Sequence, residues 1–238
     1  MKLFEIDKSL VMNVIGSYPQ SEDMIKGYDY DANNSVYELV YNRNKKIDFS
    51  PNLDSFLLTK KAKFTDLLSA IPAGGASGLL ISEKFKRLLE VFNIIEHQCF
   101  KASVLDNRGN NERYYWMQFI SKLCEKIDYG YSKFYRSGGD DYDVLSFEDF
   151  LIKKKKLGVD GEIYSKEIAL RYNDLKDFDM FYFGYFEFGI YISENLKDTI
   201  EKENITGINI TEIKTEIINK NNEKFIVIKG NSFNEKYG

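Results

Sequence analysis

His97 is the single histidine in this chain of 238 residues, and Cys99 lies two positions further on. On an extended strand this spacing places both side chains on one face, which a thiol and imidazole pair would require. The matching positions in a second copy of the segment, described below, are Ile208 and Ile210, so that face is apolar. We therefore favour a core or boundary histidine beside a buried thiol over a catalytic pair.

Other motifs that would carry chemistry are missing from the sequence. One histidine cannot build a multi-histidine metal site or an HExxH helix, and there is no GxSxG turn for a nucleophilic serine. Cys99 and Cys124 could form at most one disulfide, and we expect both to be reduced and buried. The glycine-rich stretch 74–78 lacks the Lys-Ser/Thr of a phosphate-binding loop. We predict no cofactor, no metal and no catalytic residue.

Acidic residues offer two further candidates. A calcium-loop spacing begins at Asp29, but its sixth position is Asn34 rather than Gly and its twelfth is Val40 rather than Glu. We interpret it as a polar turn. The densest acidic patch is formed by Asp140, Asp141, Asp143, Glu148 and Asp149. This patch is either a solvated loop or a surface that attracts a basic partner.

Composition narrows the class of protein. The chain is 43% hydrophobic and 29% charged, with a formal net charge of -4, which disfavours a generally basic nucleic-acid binder. Acidic residues interrupt the N-terminus at Glu5 and Asp7, so a signal peptide does not fit, and no apolar run is long enough to span a membrane. We therefore expect a cytoplasmic location, with neither nucleic acid nor membrane as a partner. We interpret most of the many aromatic residues as core residues. Their abundance is explained by a bias of the genome toward codons rich in A and T.

An internal repeat organises the chain. Residues 81–94 align with residues 192–205, and seven of the fourteen aligned positions are identical. Each copy starts as a strand and continues as a helix, with Ser82 and Ser193 as the predicted N-caps. An extended run follows each helix. We therefore predict an α+β fold with mixed or mostly antiparallel sheets, a few short helices and two pseudo-repeated strand-helix-strand units.

The remaining elements follow from hydrophobic periodicity. The pattern predicts helices over 62–71 and from about 147 onward, with a lysine run at 153–156 as the solvated helix end. It also predicts strands over 2–6, 10–15, 35–41, 114–120 and 225–228, and a bent strand over 180–189. The strand over 114–120 is apolar on both faces and should be central. We divide the chain into a strand-rich region over 1–55 and an α+β core over 56–238, which together form one compact unit.

Two stretches of sequence resemble a known family. The segment from Lys63 to Leu68, followed by Gly78 to Glu90, resembles bacterial immunity proteins of polymorphic toxin systems. Within these it is most similar to a family first catalogued as a domain of unknown function, whose helix begins Ser, acid, any residue, aromatic or Leu, Lys. Residues 204–208 resemble the same family. The resemblance covers about residues 60–120 and 170–215.

This resemblance implies a non-enzymatic cytoplasmic antidote that binds one cognate toxin domain and blocks it. Affinity would come from an anchoring side chain and a charged rim. We predict that the partner-binding residues are Asp140, Asp141, Tyr142 and Asp143, with Tyr142 as the aromatic anchor. Two alternatives stay open at this point: an enzyme that uses clustered carboxylates on a small metabolite or glycan, and a structural or regulatory domain with no toxin partner.

Overall fold

The computed structural model describes residues 1–54, 56–73, 78–136, 139–157, 162–185 and 189–229. Its helices are α1 (Met12–Ile15), α2 (Val36–Tyr41), α3 (Glu83–Leu89), α4 (Phe147–Leu157), α5 (Tyr172–Leu175) and α6 (Glu194–Lys202), with a 3-10 turn at Leu123–Lys126. Its strands are β1 (Leu3–Lys8), β2 (Ser21–Met24), β3 (Phe56–Leu58), β4 (Leu67–Leu68), β5 (Gly78–Ser82), β6 (His97–Leu105), β7 (Asn111–Phe119), β8 (Lys133–Arg136), β9 (Ile163–Arg171), β10 (Met180–Phe181), β11 (Ile190–Ser193), β12 (Ile208–Ile213), β13 (Thr215–Lys220) and β14 (Glu223–Lys229).

These strands form three sheets. Sheet A has the order β10-β11-β1-β12, sheet B the order β2-β3-β6-β7-β5-β4, and sheet C the order β13-β14-β9-β8. Strands β3 and β6 run parallel, and the other neighbouring strands run antiparallel. The predicted α+β class is confirmed, and its two repeated units are β5-α3-β6 and β11-α6-β12.

Sheet B is covered on both faces. From strand β7, Met117 and Phe119 enter a core shared with sheets A and C. Tyr114 and Trp116 point to the opposite face and enter a second core against α2. Because alternate residues of a strand face opposite sides, β7 is apolar on both faces from Tyr114 onward apart from the buried Gln118, and its predicted central position is confirmed.

The helix predicted over 62–71 is wrong. Leu67 and Leu68 form the short strand β4 at the edge of sheet B. Leu67 is buried in the shared core, whereas Leu68 is buried in the second core on the other face. Neighbouring residues that enter opposite layers need the two-residue period of a strand, and the helical spacing of nearby apolar residues was coincidental.

Two predicted strands near the N-terminus are also wrong. The segment 10–15 contains the single-turn helix α1, and the segment 35–41 forms α2. Val36 and Leu39 lie three residues apart in α2 and are both buried in the second core, which is helical spacing. The strands predicted over 2–6 and 225–228 are confirmed as β1 and β14, and the helix predicted from 147 is confirmed as α4.

The first 55 residues contribute to two sheets. Strand β1 lies between β11 and β12 in sheet A, and β2 pairs with β3 at the edge of sheet B. A boundary at residue 55 stays a prediction.

The side chain of Asp66 binds both the start of the first repeated helix and a loop of the other repeat, and we call this arrangement an aspartate bracket. The Ser82 hydroxyl accepts a hydrogen bond from the Phe85 N–H at 3.1 Å, as an N-cap does, and donates to Asp66 Oδ1 at 2.6 Å. The second carboxylate oxygen, Asp66 Oδ2, accepts from both the backbone N–H and the hydroxyl of Thr206, each at 2.9 Å. One side chain therefore joins the start of α3 to the loop that follows α6.

The second repeated helix has the same arrangement. The Ser193 hydroxyl accepts from the Leu196 N–H at 3.2 Å and donates to Asp179 Oδ1 at 2.7 Å. Asp179 Oδ2 accepts from the backbone N–H of Asn93 at 3.1 Å, in the loop that follows α3. Each unit thus supplies the loop that binds the aspartate of the other, which fixes the two repeats against one another.

Gly207 allows one of these loops to dock. Its φ of +80° is left-handed, and a Cβ there would collide with the carbonyl oxygen of Leu67. We expect Gly207→Ala to lower the free energy of unfolding by about 2 kcal/mol, because strain and collision add. Gly109→Ala is the control in urea unfolding, since Gly109 has a φ of +87° but no atom near its Cβ position. Equal losses in the two variants would contradict a role for the Leu67 contact.

Candidate functional site

The predicted acidic loop is part of a hairpin at the edge of sheet C. After β8 the chain turns back, and the Tyr142 N–H donates to the Phe134 carbonyl at 2.9 Å. The Arg136 N–H donates to the Asp140 carbonyl at 3.1 Å. Residues 137–138 of the predicted loop lie outside the described residues. This pairing exposes the side chains of Asp140 and Asp141 at the sheet edge.

The four predicted binding residues differ in their surroundings. Asp140 forms an exposed ion pair with Arg136 at 2.8 Å. Tyr142 is half-buried against the shared core, and the Lys153 ammonium lies 5.5 Å from the centre of its ring. Asp143 is exposed, and its backbone carbonyl accepts from Lys153 at 2.6 Å. Asp140, Asp141 and Asp143 are therefore available to a partner, whereas Tyr142 mainly holds the hairpin on the core.

An open concavity of about 800 Å³ adjoins this hairpin. It lies between the 3-10 turn with the loop after it and the start of α4. Leu145, two residues beyond Asp143, is 79% exposed at its edge, and Leu151 from the next turn of α4 is also exposed. Leu145 and Leu151 line the concavity together, and a group of exposed apolar side chains beside polar ones fits a surface that binds another molecule.

Three carboxylates line this concavity, those of Glu125, Asp128 and Glu148. Among the described residues, none of the three forms an ion pair with a lysine or arginine. Hydrogen bonds from its own backbone N–H and the Ser146 hydroxyl lower the pKa of Glu148. It is therefore ionised at neutral pH, and the concavity is negatively charged around its leucines.

The sequence predicts the acidic loop but neither its pairing as a hairpin nor this concavity. Glu125 and Asp128 lie far from the acidic patch in sequence, and the turn that ends at Lys126 brings them opposite α4. The exposure of Leu145 could not be predicted, because the sequence alone does not distinguish an exposed leucine from a buried one. Asp149, predicted as part of the patch, is less available than Asp140, because its side chain is only 26% exposed and accepts from both the Lys153 ammonium at 2.8 Å and the Leu145 N–H at 2.9 Å.

The arrangement of His97 and Cys99 corrects an expectation. We expect a core or boundary histidine beside a buried thiol, but both side chains are exposed, because they line an open cleft beside Leu89 and Met117. The His97 Nδ1 atom interacts with the Ile95 carbonyl at 2.9 Å. Although Cys99 is exposed, neighbouring side chains desolvate its thiol and raise its pKa, so it stays protonated at neutral pH. Cys124 is buried, as expected.

The other motifs take ordinary structural roles. Asp29 accepts from the Asp31 N–H at 3.0 Å, which is a polar turn. No group of three or more His, Cys, Asp or Glu side chains that could hold a metal ion occurs within the described ranges. Residues 74–77 of the glycine-rich stretch lie outside those ranges.

The aromatic run is core where the structure describes it. Phe181 and Phe183 are fully buried and pack against Tyr191 with ring centres 5.4 and 5.7 Å apart. The chain bends at Gly184, whose φ is +88°. Strand β10 ends at Phe181, so the strand predicted over 180–189 is shorter than expected. Residues 186–188 lie outside the described residues.

The comparison with known families identifies the protein's class. The family model described as Immunity protein family (Imm11) matches residues 30–215, which is 186 of 238 residues. The chain therefore belongs to the Imm11 immunity protein family, and the resemblance noted in the sequence is confirmed. The match includes both aspartate brackets, the hairpin and the concavity. No curated protein matches the sequence. Among the helices that the structure describes, none is long and apolar enough to cross a membrane.

Proposed function

We propose that this protein binds the toxin domain of a cognate polymorphic toxin in the cytoplasm and neutralises it without catalysis. Membership of the immunity protein family supports this function. The arrangement of His97 and Cys99 also supports it, because an exposed histidine bonded to a backbone carbonyl beside a protonated thiol is not set up for nucleophilic attack.

We place the toxin-binding surface at the concavity and the adjoining hairpin, and call this the acidic face: Glu125, Asp128, Asp140, Asp141, Asp143, Leu145, Glu148 and Leu151. The observation that carries this choice is Leu145, which is 79% exposed beside Glu125, Asp128 and Glu148, carboxylates that form no ion pair with a lysine or arginine in the described part of the chain. Interfaces gain most of their affinity from a few apolar or aromatic anchors and use charge for orientation and capture. The acidic face therefore fits a basic toxin surface that covers Leu145.

Within this face the predicted residues have separate roles. Asp141 and Asp143 would meet basic side chains of the toxin directly. Asp140 would do so by exchanging its exposed pair with Arg136, which costs little because such pairs contribute only about 0–1 kcal/mol. Tyr142 would act by holding the hairpin in place.

Protection of cells tests this proposal. We expect co-expression of the chain to rescue bacteria from the toxin encoded by the neighbouring gene.

A variant with Asp140→Ala, Asp141→Ala and Tyr142→Ala should bind the toxin about tenfold more weakly, because rim charges contribute modestly. Tyr41→Ser is the control, since Tyr41 is exposed on α2. Failure of the wild type to protect would contradict the function. If a binding measurement gives the triple variant the same affinity for the toxin as the wild type, the acidic face is not the toxin-binding surface.

A further inference from the structure

A second surface of the protein keeps large apolar side chains in water. Around α1, Leu10, Val11 and Met12 are 64%, 58% and 54% exposed, and Val14 and Tyr18 are exposed as well. Five large apolar or aromatic residues within nine positions are thus left uncovered. Isolated exposed apolar residues are normal, whereas a contiguous group indicates a contact surface.

The segment over 10–18 is fixed to the fold, although its apolar tip, formed by Leu10, Val11 and Met12, is exposed. Ile15 is fully buried, and its carbonyl accepts from the Lys63 N–H at 2.8 Å. The Lys63 ammonium donates to the Asn13 carbonyl at 2.8 Å. Gly16 packs against the Lys61 carbonyl so closely that a Cβ would collide with it. The loop over 59–63 therefore lies beside α1, and its lysines flank the apolar tip.

The two chain segments that form this surface, 8–18 and 59–63, carry only positive charge. Lys60, Lys61 and Lys63 are exposed beside α1, and Lys8 precedes it in the chain. No ion pair of the described residues includes any of these four lysines. The sequence has no acidic residue over 8–21 or over 56–65, although the whole chain carries 37. We call the four lysines and the five apolar residues the α1 face.

The size and the charge of the α1 face indicate which kind of partner binds it. A second copy placed on the same face would bring the two sets of lysines together, which is unfavourable. A stable protein interface takes about 20–30 residues from each side, whereas the α1 face has nine from two short segments. Contact with anionic lipid has no such size requirement, because each apolar side chain that enters the interface and each lysine near the headgroups adds to binding.

We propose that the α1 face docks this protein peripherally on an anionic membrane surface. Leu10, Val11 and Met12 enter the boundary between headgroups and acyl chains, and the lysines contact lipid phosphates. The sequence predicted no membrane partner because it has no spanning segment, and this contact needs none. Residues 8–18 lie outside the family match, and the surface is separate from the acidic face, so the inference goes beyond the proposed function.

Co-sedimentation of the full chain with vesicles tests the proposal. At 50 mM salt we expect binding to vesicles of phosphatidylcholine and phosphatidylglycerol in a ratio of about 7:3 to be at least tenfold stronger than to phosphatidylcholine alone. At 500 mM salt most of that binding should be lost through screening. Leu10→Ser with Met12→Ser, and separately Lys60→Glu with Lys61→Glu, should each reduce binding at least fivefold. Tyr41→Ser should bind as the wild type does.

The result can also overturn the proposal. Equal sedimentation with both vesicle types, no sedimentation with either, or wild-type binding by both double variants would contradict it. Circular dichroism of each variant establishes that it is folded before binding is measured. If the double variants instead lose the toxin complex and keep vesicle binding, the α1 face is a protein interface.

Discussion

Asp66→Ala is expected to lower the free energy of unfolding by about 3 kcal/mol, because the variant loses three charge-assisted hydrogen bonds at once. The carboxylate holds the Ser82 hydroxyl at 2.6 Å and the Thr206 N–H and hydroxyl at 2.9 Å. Removing it also weakens the attachment of the start of α3 to the loop after α6, where, among the described residues, only the Lys84 ammonium would still donate, to the Glu203 and Asn204 carbonyls. Because those elements belong to different repeats, the loss should appear in cooperative unfolding of the whole chain rather than in fraying of one helix.

Urea unfolding of matched aspartate variants tests this prediction. Asp179→Ala should lose about 2 kcal/mol, since Asp179 accepts from the Ser193 hydroxyl and one backbone N–H. Asp198→Ala is the control, because Asp198 forms only an exposed pair with Lys197, and it should change stability by less than about 0.5 kcal/mol. A loss below about 1 kcal/mol in Asp66→Ala would show that the bracket contributes little.

Leu145→Arg is expected to weaken binding of the toxin about 100-fold, which corresponds to about 2.7 kcal/mol. The change removes the exposed apolar side chain and places a cation among Glu125, Asp128 and Glu148, where a basic partner would bind. Folding should be almost unaffected, because Leu145 is mostly exposed in the folded protein.

The matched control for this variant is Val91→Arg. Val91 is also a highly exposed apolar residue, but it lies by the groove between α3 and α6. We expect Val91→Arg to bind the toxin with unchanged affinity. Equal weakening by both substitutions would mean that any added cation impairs binding, and the acidic face would then have no special role.

The repeat shows how much of the fold was accessible from sequence. Ser82 and Ser193 were identified as helix starts because a hydroxyl before an acid and an apolar stripe has a local physical meaning. The acceptors of their hydroxyl protons, Asp66 and Asp179, were missed because they lie 16 and 14 residues earlier in the chain. A signal was present, since each aspartate directly precedes two apolar residues that form an edge strand.

The errors near the N-terminus have a different cause. Segments such as 35–41 are too short for apolar spacing to distinguish a strand from a helix. Leu67 and Leu68 were assigned to a helix because nothing local to them shows that they enter different cores. In each case packing between distant elements decides the conformation, and periodicity alone does not contain that information.

The candidate site was partly accessible for the same reason. Asp140, Asp141 and Asp143 lie together in sequence, which predicts an exposed acidic loop, and all three are exposed in the structure. The tertiary fold adds Glu125 and Asp128 through the turn opposite α4. The acidic face is therefore a product of topology that begins from a sequence cluster.

Isothermal titration of the purified chain with the toxin domain encoded by the neighbouring gene tests the central claim most directly. We predict a 1:1 complex with a Kd below about 1 μM at physiological salt. The Leu145→Arg protein should bind about 100-fold more weakly, and the Val91→Arg protein should bind as the wild type does. Absence of a complex with the wild-type chain would contradict the immunity function proposed for this protein. A complex unaffected by Leu145→Arg would contradict the acidic face as its binding surface.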